Sequence, residues 1–340
     1  MKAIVYSAYG SPDVLRIQDV PTPTPADNEV LVRIHATTVT AGDRRARSLD
    51  LPAGFGLVGR LIFGVTKPRQ SILGTELSGV VEAVGERVTR FKPGDAVFAF
   101  SGAGMGAYAE YRTLAEDGPI APKPANLSFD EAAALSFGGA TMLHFYKKAV
   151  LKAGDRVLVV GASGGVGTAA VQLAKHAGAH VTGVTSGRNA DLVRSLGADE
   201  VIDYTKEDFS KNGKTYDVIV DTVGTAPYPV SKGSLAPGGR LLLIMSELPG
   251  MLSAPWYSMT TDKTVIAGPA AEKPEYIAQL AELAEAGAYR AVIDRTYSME
   301  DAAEAHRYVD TGRKRGSVVI EIAQPEDADA ARADARSHGA

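Results

Sequence analysis

The segment from Arg156 to Gly167, RVLVVGASGGVG, constrains the fold of this chain more than any other segment. Its first five residues are β-branched and apolar after the arginine, which predicts a short buried strand. Glycines follow at 161, 164, 165 and 167, and residues 168–178 carry apolar side chains at helical spacing and end at a glycine. Glycines let a backbone approach a pyrophosphate, whose charge then faces the helix N-terminus. The segment therefore predicts a nucleotide-binding strand–turn–helix unit, with a tight turn that only packs helix on strand as the alternative.

The alternation of strand and helix continues along the middle of the chain. A capping-box pattern, Ser128 with Glu131, predicts a helix start, and a second helix is expected over 140–151. Further strands are predicted at 179–185, 200–203, 217–221, 240–246 and 264–267, with helices at 189–196 and 228–235. Alternation at this pitch requires parallel strands joined by crossover helices. The sequence thus predicts the α/β class, with a doubly wound parallel sheet.

The N-terminal part has a different pattern, with many short strands punctuated by glycine and proline. Strands are predicted at 2–7, 14–20, 29–36, 77–84, 95–100 and 106–114, which indicates a β-rich domain. After a helix at 274–286, strands at 292–297 and 317–322 flank a helix at 299–310, and these are expected to complete the same domain. The tail, 324–340, is charged and alanine-rich without an apolar face, so we predict that it is disordered.

One segment interrupts this pattern between residues 44 and 73. It is long, basic and dotted with glycine, yet rich in Leu, Phe and Ile, which predicts a lid or binding loop, or else disorder. Arg44, Arg45 and Arg47 could attract an anion, but we favour a solvated helix face for them.

Composition excludes several classes of function. The chain of 340 residues has no cysteine and six scattered histidines, so we expect no metal site. A net charge of −4 argues against a general nucleic-acid or anionic-membrane binder. The N-terminus breaks at Ser7 and Gly10 before a signal-peptide core can form, and no apolar run approaches the ~20 residues that span a bilayer. We therefore expect a cytoplasmic protein.

Three motifs together carry a resemblance to a known family: VVGASGGVG at 159–167, GTELSGVVEAVGERVTRFKPGDAV at 74–97 and LGADEVIDY at 196–204. The chain resembles the zinc-independent, quinone oxidoreductase-like branch of the medium-chain dehydrogenase/reductases. The resemblance implies a GroES-like β-rich substrate domain (1–123 and 270–323) and a Rossmann domain (124–269), with the cofactor in the cleft between them. It also implies a homodimer that pairs the strand at 264–267 with its symmetry mate.

The departures from the family's zinc-dependent members are informative. Those relatives carry a cysteine after the strand at 30–36, where this chain reads TVTAGD, and a GHE motif where it has Gly74, Thr75 and Glu76. The zinc-free branches often have asparagine where this chain has Thr40. The identity of the substrate contacts near Thr40 and Asp43 is therefore left open.

The predicted nucleotide site favours NADPH over NADH. An NAD-type unit ends its second strand with an acid, whereas this one ends in Thr185, Ser186, Gly187 and Arg188. A hydroxyl and a guanidinium suit a 2′-phosphate, and Arg188 as a solvated residue is the alternative. By resemblance, Tyr204 also lies near this phosphate. The remaining predicted cofactor contacts are the pyrophosphate turn, Gly161, Ala162, Ser163, Gly164, Gly165 and Val166, and, by resemblance, Thr141, Val223, Gly224, Ile244, Ala267, Gly268 and Pro269.

Without a metal, the expected chemistry is hydride transfer to an acceptor that needs no Lewis acid, a quinone or an α,β-unsaturated carbonyl compound. Candidate substrate contacts are Thr40, Asp43, Tyr108 and Tyr257, the last in a predicted loop, and no catalytic residue is assigned. Two alternatives stay open: a zinc-free alcohol or carbonyl reductase, and a catalytically idle NADPH-binding protein.

Overall fold

The N-terminal third of the structure, a computed structural model that describes residues 1–322, consists mainly of short strands. Strand β3 shows why: Val30, Val32 and Ile34 recur at every second position on one face, and all three side chains are fully buried. The strands of this part are β1 (Lys2–Val5), β2 (Arg16–Asp19), β3 (Glu29–Thr38), β4 (Glu76–Val84), β5 (Ala96–Phe100), β6 (Tyr111–Ala115) and β7 (Ile120–Pro122).

The segment 44–73, predicted as a long loop, contains two helices instead. Helix α1 (Ala41–Ser48) starts at a capping box, in which the Thr40 hydroxyl accepts from the Asp43 backbone N–H and the Asp43 carboxylate accepts from the Thr40 backbone N–H. Helix α2 (Gly56–Phe63) follows after a short connection. The prediction of a loop was wrong because both helices have only eight residues, too short for a clear periodic pattern.

The central part forms a six-stranded parallel sheet with helices between its strands. Its elements are α3 (Phe129–Ala133), α4 (Ser136–Ala149), β8 (Arg156–Val160), α5 (Gly165–His176), β9 (His180–Thr185), α6 (Ala190–Ser195), β10 (Glu200–Asp203), β11 (Tyr216–Asp221), α7 (Tyr228–Ser231), β12 (Leu235–Leu243), α8 (Leu248–Thr260) and β13 (Thr264–Ala267). The strand order is β10-β9-β8-β11-β12-β13, and every pair is parallel. The order reverses between β8 and β11, and the carboxyl ends at such a point form the crevice where ligands bind in sheets of this class. The predicted doubly wound Rossmann sheet is confirmed.

The C-terminal elements return to the N-terminal sheet. They are α9 (Pro274–Glu285), β14 (Ile293–Ser298), α10 (Ala302–Asp310) and β15 (Ser317–Glu321). Strand β15 pairs antiparallel with β3, and the sheet has the order β14-β15-β3-β4-β5-β7, with β6 also on β3. The domain boundaries at residues 123 and 270 stay a prediction, and the tail predicted as disordered lies outside the described residues.

One interdomain contact positions the site. The backbone N–H of Gly316, just before β15, donates to the carbonyl of Ser163 in the glycine turn at 2.8 Å. The loop 311–316 is thereby held against the carboxyl end of β8. None of the helices within residues 1–322 has both the length and the apolar character needed to cross a bilayer.

Candidate active site

The glycine turn after β8 brings backbone and helix together so closely that side chains are excluded. Gly161 has a φ of +81°, a conformation that L-residues rarely adopt. A Cβ on Gly167 would lie 2.0 Å from the carbonyl oxygen of Gly161. A Cβ on Gly164, by contrast, would meet no described atom closer than 3.5 Å. Helix α5 begins directly after Gly164, so its free backbone N–H groups face the crevice, where they can bind an anion.

A cavity of about 650 Å³ extends from this turn along the ends of β9 and β10. Its walls include Gly161, Ser163 and Gly164 on one side and Ser186, Arg188 and Tyr204 on the other. The Ser163 hydroxyl is held by the Thr185 hydroxyl at 2.9 Å and by the Asn189 amide at 3.0 Å. The structure therefore brings the turn and the predicted 2′-phosphate contacts into one cavity.

Arg188 is an exposed cation in this cavity. No carboxylate of the described chain forms an ion pair with it. The loop after β9 contains no acid, but one lies near it: the carboxylate of Asp203 accepts hydrogen bonds from Thr205 and from the Gly187 backbone N–H. These hydrogen bonds lower the pKa of Asp203. The pattern after β9 does not point to this acid, because Asp203 belongs to the neighbouring strand β10.

A second, smaller cavity of about 130 Å³ lies between the two sheets and shares Gly164 and Val223 with the first. Glu76 and Lys314 face each other across it. The Lys314 ammonium lies 3.2 Å from where a Cβ of Gly165 would be, directly over the start of α5, and donates to the carbonyl of Gly316. Burial lowers the pKa of Lys314 to about 8, against the opposing effect of Glu76 and Asp294.

Glu76 belongs to the segment where the zinc-dependent relatives carry GHE. One of its carboxylate oxygens accepts from the Thr38 hydroxyl and the other from the backbone N–H of Phe137 at 2.5 Å. Burial raises the pKa of Glu76 to about 7, although both hydrogen bonds oppose that shift. The carboxyl group is therefore a titratable group near neutrality inside the cleft.

Asp43 is fully buried and fully engaged within the N-terminal part. Its carboxylate accepts from the Thr40 hydroxyl at 2.6 Å, from the Thr40 N–H at 2.9 Å and from the Gly74 N–H at 2.9 Å. Burial raises its pKa to about 6. These bonds fix the start of α1, and Thr40 itself lines the small cavity. Asp43 is thus a structural residue behind the site, while Thr40 lies at its wall.

Two further cavities open beneath α2. One, of about 450 Å³, joins Ile244, Gly268 and Pro269 at the sheet edge to Arg45 on α1 and to apolar side chains of α2. The other, of about 280 Å³, has the aromatic walls Tyr6, Phe63, Phe100 and Phe137. Gly42, Ile62 and Phe63 line both. The two cavities form an apolar, aromatic space next to the crevice, which suits a flat and conjugated molecule.

Several predicted contacts lie elsewhere. Tyr108 is fully buried, and its hydroxyl is shared between His306 Nε2 at 3.0 Å and the Thr38 carbonyl at 3.3 Å. Tyr257 is in helix α8, not in a loop, and stacks on Tyr228 with ring centroids 4.2 Å apart. Neither tyrosine lines any of these four cavities. The other predicted contacts outside the walls of these four cavities are Thr141, Ala162, Gly224 and Ala267.

The preference for a solvated arginine face on α1 was wrong for Arg47. Its side chain is 2% exposed, and its guanidinium binds the carboxylate of Asp310 on α10 at 2.7 Å. Arg44 binds the same carboxylate at 3.1 Å and Asp50 at 2.8 Å. These two arginines are therefore structural.

The residues that sequence reasoning missed come from distant parts of the chain. Lys314 and Arg313 lie in the turn before β15, and Glu76 lies at the start of β4, yet all three line the cavities around the glycine turn. The cluster KRGS at 314–317, basic and turn-like before the last strand, is a signal that could have pointed to Lys314. Within residues 1–322, no group of three or more His, Asp or Glu side chains is arranged to hold a metal ion.

Comparisons with known proteins agree with this architecture. The family model described as alcohol dehydrogenase GroES-like domain matches residues 26–125, and that described as zinc-binding dehydrogenase matches residues 196–320. A chloroplastic quinone oxidoreductase of Triphysaria versicolor is 33% identical, with 94% of this chain and 98% of the relative covered. A 2-methylene-furan-3-one reductase of Solanum lycopersicum is also 33% identical, with 94% and 79% covered. The solved quinone oxidoreductase of Coxiella burnetii is 30% identical, with 95% and 99% covered and a TM-score of 0.83.

Proposed function

Because this chain belongs to the quinone oxidoreductase-like branch of the medium-chain dehydrogenase/reductases, we propose that it is an NADPH-dependent, zinc-free oxidoreductase that transfers hydride to a quinone or an α,β-unsaturated carbonyl compound. The observation that carries the proposal is the 650 Å³ cavity that joins the glycine turn to Ser186, Arg188 and Tyr204. It shares Gly164, Val223 and Lys314 with the 130 Å³ cavity, which in turn shares Phe137 with the aromatic part of the apolar space under α2. A dinucleotide needs polar contacts for its phosphates and ribose, and a separate space for its nicotinamide ring.

The choice of NADPH rests on the charges of the described residues in that cavity. Arg188 has no ion-pair partner there, so its guanidinium is free to bind a 2′-phosphate with charge-assisted bonds. Asp203, on the neighbouring strand, accepts hydrogen bonds from Thr205 and from the Gly187 N–H, which engage its carboxylate within the fold. Two carboxylates also line this cavity: Glu207, which accepts from the Asn212 amide at 2.8 Å, and Asp208, which accepts from the Ser210 N–H and pairs with Lys211 at 3.0 Å. Neither lies in the loop after β9 that carries Ser186 and Arg188, where an NAD-type unit has its acid.

The glycine turn and Lys314 supply the pyrophosphate contacts. The free N–H groups at the start of α5 attract negative charge, and the Lys314 ammonium lies over the same point. Without an anion, this cation would face the positive end of a helix. A bound pyrophosphate would relieve that repulsion and would tie loop 311–316 to the Rossmann sheet.

The proposal that the enzyme is zinc-free rests on the donor set. The positions that hold cysteine and histidine in the zinc-dependent relatives are in the Thr38–Asp43 segment and at Thr75, and the chain has no cysteine. The carboxylates nearby, Asp43 and Glu76, are each occupied by hydroxyl and backbone donors. A bound nicotinamide supplies a hydride on its own, and conjugated acceptors take hydride at carbon without a metal.

The acceptor class follows from the apolar space next to the crevice. Aromatic and aliphatic side chains dominate its walls, with few fixed polar groups to recognise a polyol. The names of two relatives, a quinone oxidoreductase and a 2-methylene-furan-3-one reductase, describe acceptors of this flat and conjugated kind. The protein's own residues orient the acceptor. The cytoplasmic location stays a prediction.

The experiment is NADPH and NADH consumption with quinones, enones, enoyl thioesters and aldehydes. We expect turnover with NADPH and the first three acceptor classes, and little with saturated aldehydes. Turnover confined to aldehydes would support the alternative of a zinc-free carbonyl reductase. Saturable NADPH binding without turnover of any acceptor would identify an idle NADPH-binding protein.

A further inference from the structure

The three arginines of helix α1 have different environments. Arg44 and Arg47 are neutralised by Asp310, and Arg44 also by Asp50. Arg45 has no carboxylate partner among the described residues. Its charge is therefore unpaired in a helix where both neighbouring arginines are paired.

The one contact recorded for the Arg45 guanidinium is with a weak acceptor. Its Nη2 lies 2.6 Å from the thioether sulfur of Met245, which follows β12. A thioether satisfies little of the hydrogen-bonding capacity of a guanidinium, which has five N–H donors. Most of those donors remain available to a ligand.

Arg45 lies in the wall of the 450 Å³ cavity, among apolar side chains such as Phe55, Ile62 and Phe63. Burial there lowers the pKa of Arg45, an effect strengthened by the charge of Arg44 and opposed by Asp50. An unpaired cation on an apolar wall is unfavourable for folding unless something compensates it. Such a group is typical of a site whose partner is a ligand.

We propose that Arg45 forms an oxyanion-binding site in this cavity, which holds the carbonyl oxygen of a conjugated acceptor and stabilises the negative charge that develops on it. The inference rests on the proposed function and adds a catalytic residue to it. Gly268 and Pro269, predicted cofactor contacts, line the same cavity as Arg45. The guanidinium and these predicted cofactor contacts thus share one cavity.

The charge balance of an enone reduction shows what Arg45 contributes. A hydride from NADPH forms the new C–H bond at the β-carbon, and the electron pair of the C=C bond moves toward the carbonyl oxygen to give an enolate. The acceptor gains two electrons and the cofactor is oxidised to NADP⁺. Water then protonates the α-carbon, while Arg45 stays protonated and donates to the enolate oxygen. Charge-assisted donors aimed at such an oxygen are among the largest contributions to catalysis.

The first test needs neither cofactor nor turnover. 4-Nitrophenol is a flat, conjugated probe whose ionised form is yellow, so absorbance reports its protonation when bound to the free enzyme. We expect the wild-type protein to lower the pKa of the bound probe by about 1–2 units, because a cation near an ionisable oxygen favours its charged form. Arg45→Met should abolish the shift, whereas Arg44→Met, the matched control on the same helix, should retain it. An equal shift in wild type and Arg45→Met would overturn the proposal.

The second test uses turnover with an enone. Arg45→Met should lower kcat on the order of 100-fold, as removal of one oxyanion donor does elsewhere, with the Kd of NADPH unchanged. Arg45→Lys should recover part of the loss, which a role in folding would not explain. If the probe shift is present but wild type reduces no acceptor, the proposed function fails and the oxyanion site stands. Normal kcat in a folded Arg45→Met variant would contradict the catalytic role.

Discussion

At the scale of single residues, the proposed preference for NADPH rests on Arg188. It is exposed and unpaired among the described residues, so its loss removes a ligand contact without uncovering a buried partner. A charge-assisted hydrogen bond contributes about 1.5–3 kcal/mol, so Arg188→Ala should weaken NADPH binding by about ten- to hundredfold and leave NADH nearly unchanged. Titration of both cofactors by fluorescence measures this.

The matched control for that prediction is Arg194→Ala. Arg194 lies nearby on α6, is equally exposed and pairs with Asp191 at 2.9 Å, outside the walls of the cavity. Its replacement should change neither dissociation constant. Equal losses for NADPH and NADH in Arg188→Ala would mean that this arginine supports the loop rather than the 2′-phosphate.

Glu76 should make the stability of the protein depend on pH. Its pKa rises from 4.5 in the unfolded chain to about 7 in the fold, because burial penalises the carboxylate. The contribution of Glu76 to the free energy of unfolding is therefore fully present below pH 4.5 and is lost as the pH rises through about 7. Glu76→Gln stays neutral, so it should remove about 1–3 kcal/mol of this decline in the free energy of unfolding.

Urea unfolding at pH 4.5 and pH 7.5 measures the decline. Asp43, whose pKa rises from 3.8 to about 6, produces a similar decline that should persist in the Glu76→Gln variant. Glu82→Gln is the control, since Glu82 is about half exposed and pairs with Arg33 on the surface. An unchanged decline in Glu76→Gln would show that Glu76 is ionised in the fold at all these pH values.

At the scale of elements, two glycines of the turn should have different roles: Gly167 in folding and Gly164 in cofactor binding. Gly167→Ala places a Cβ 2.0 Å from the Gly161 carbonyl oxygen, so it should destabilise the protein by about 1–3 kcal/mol or more. Gly164 has an extended backbone with φ −81°, and its Cβ would make only an ordinary contact of 3.5 Å with the Gly161 carbonyl oxygen, so Gly164→Val should fold normally. The valine side chain would fill the cavity and weaken NADPH binding on the order of 100-fold. Thermal unfolding and cofactor titration distinguish the two, and a Gly164→Val variant that binds NADPH normally would contradict the pyrophosphate site.

The sequence predicts some elements better than others, for physical reasons. The strands of both sheets could be predicted because buried β-branched runs and alternating patterns are local signals. Helix α8 was predicted as a loop because Pro255 lies inside it and Pro249 near its start. The glycine turn was found from one segment, whereas Lys314 reaches it only through the pairing of β15 with β3, which no local pattern encodes.

At the scale of the whole molecule, the homodimer paired through β13 stays a prediction, and one contact already occupies part of that edge. The outward N–H of Val265 in the edge strand β13 donates to the hydroxyl of Ser258 on α8 at 2.9 Å. A β13 strand of a second copy could pair with this edge only if the hydrogen bond from Val265 to Ser258 were broken. Beside it, Leu252, Trp256 and Met259 on one face of α8 are 68%, 65% and 82% exposed. We therefore propose that a second copy of the chain covers this face.

Light scattering tests the dimer directly. The wild type should have about twice the chain mass of 35.6 kDa, and Trp256→Glu with Met259→Glu should reduce it to the mass of one chain. Leu57→Glu is the control, because Leu57 is similarly exposed, at 74%, but lies on α2. A wild-type protein that is monomeric at micromolar concentration would refute the dimer.

The claim that this molecule moves a hydride from NADPH onto an acceptor carbon is tested most directly with deuterium. NADPH is prepared with deuterium on one or the other face of nicotinamide C4, and the product of enone reduction is analysed by mass spectrometry. We expect one deuterium at the β-carbon of the product from one labelled form and none from the other, because a nicotinamide ring bound in the crevice would present only one of its faces to the apolar space. Product without deuterium from either form would contradict the account.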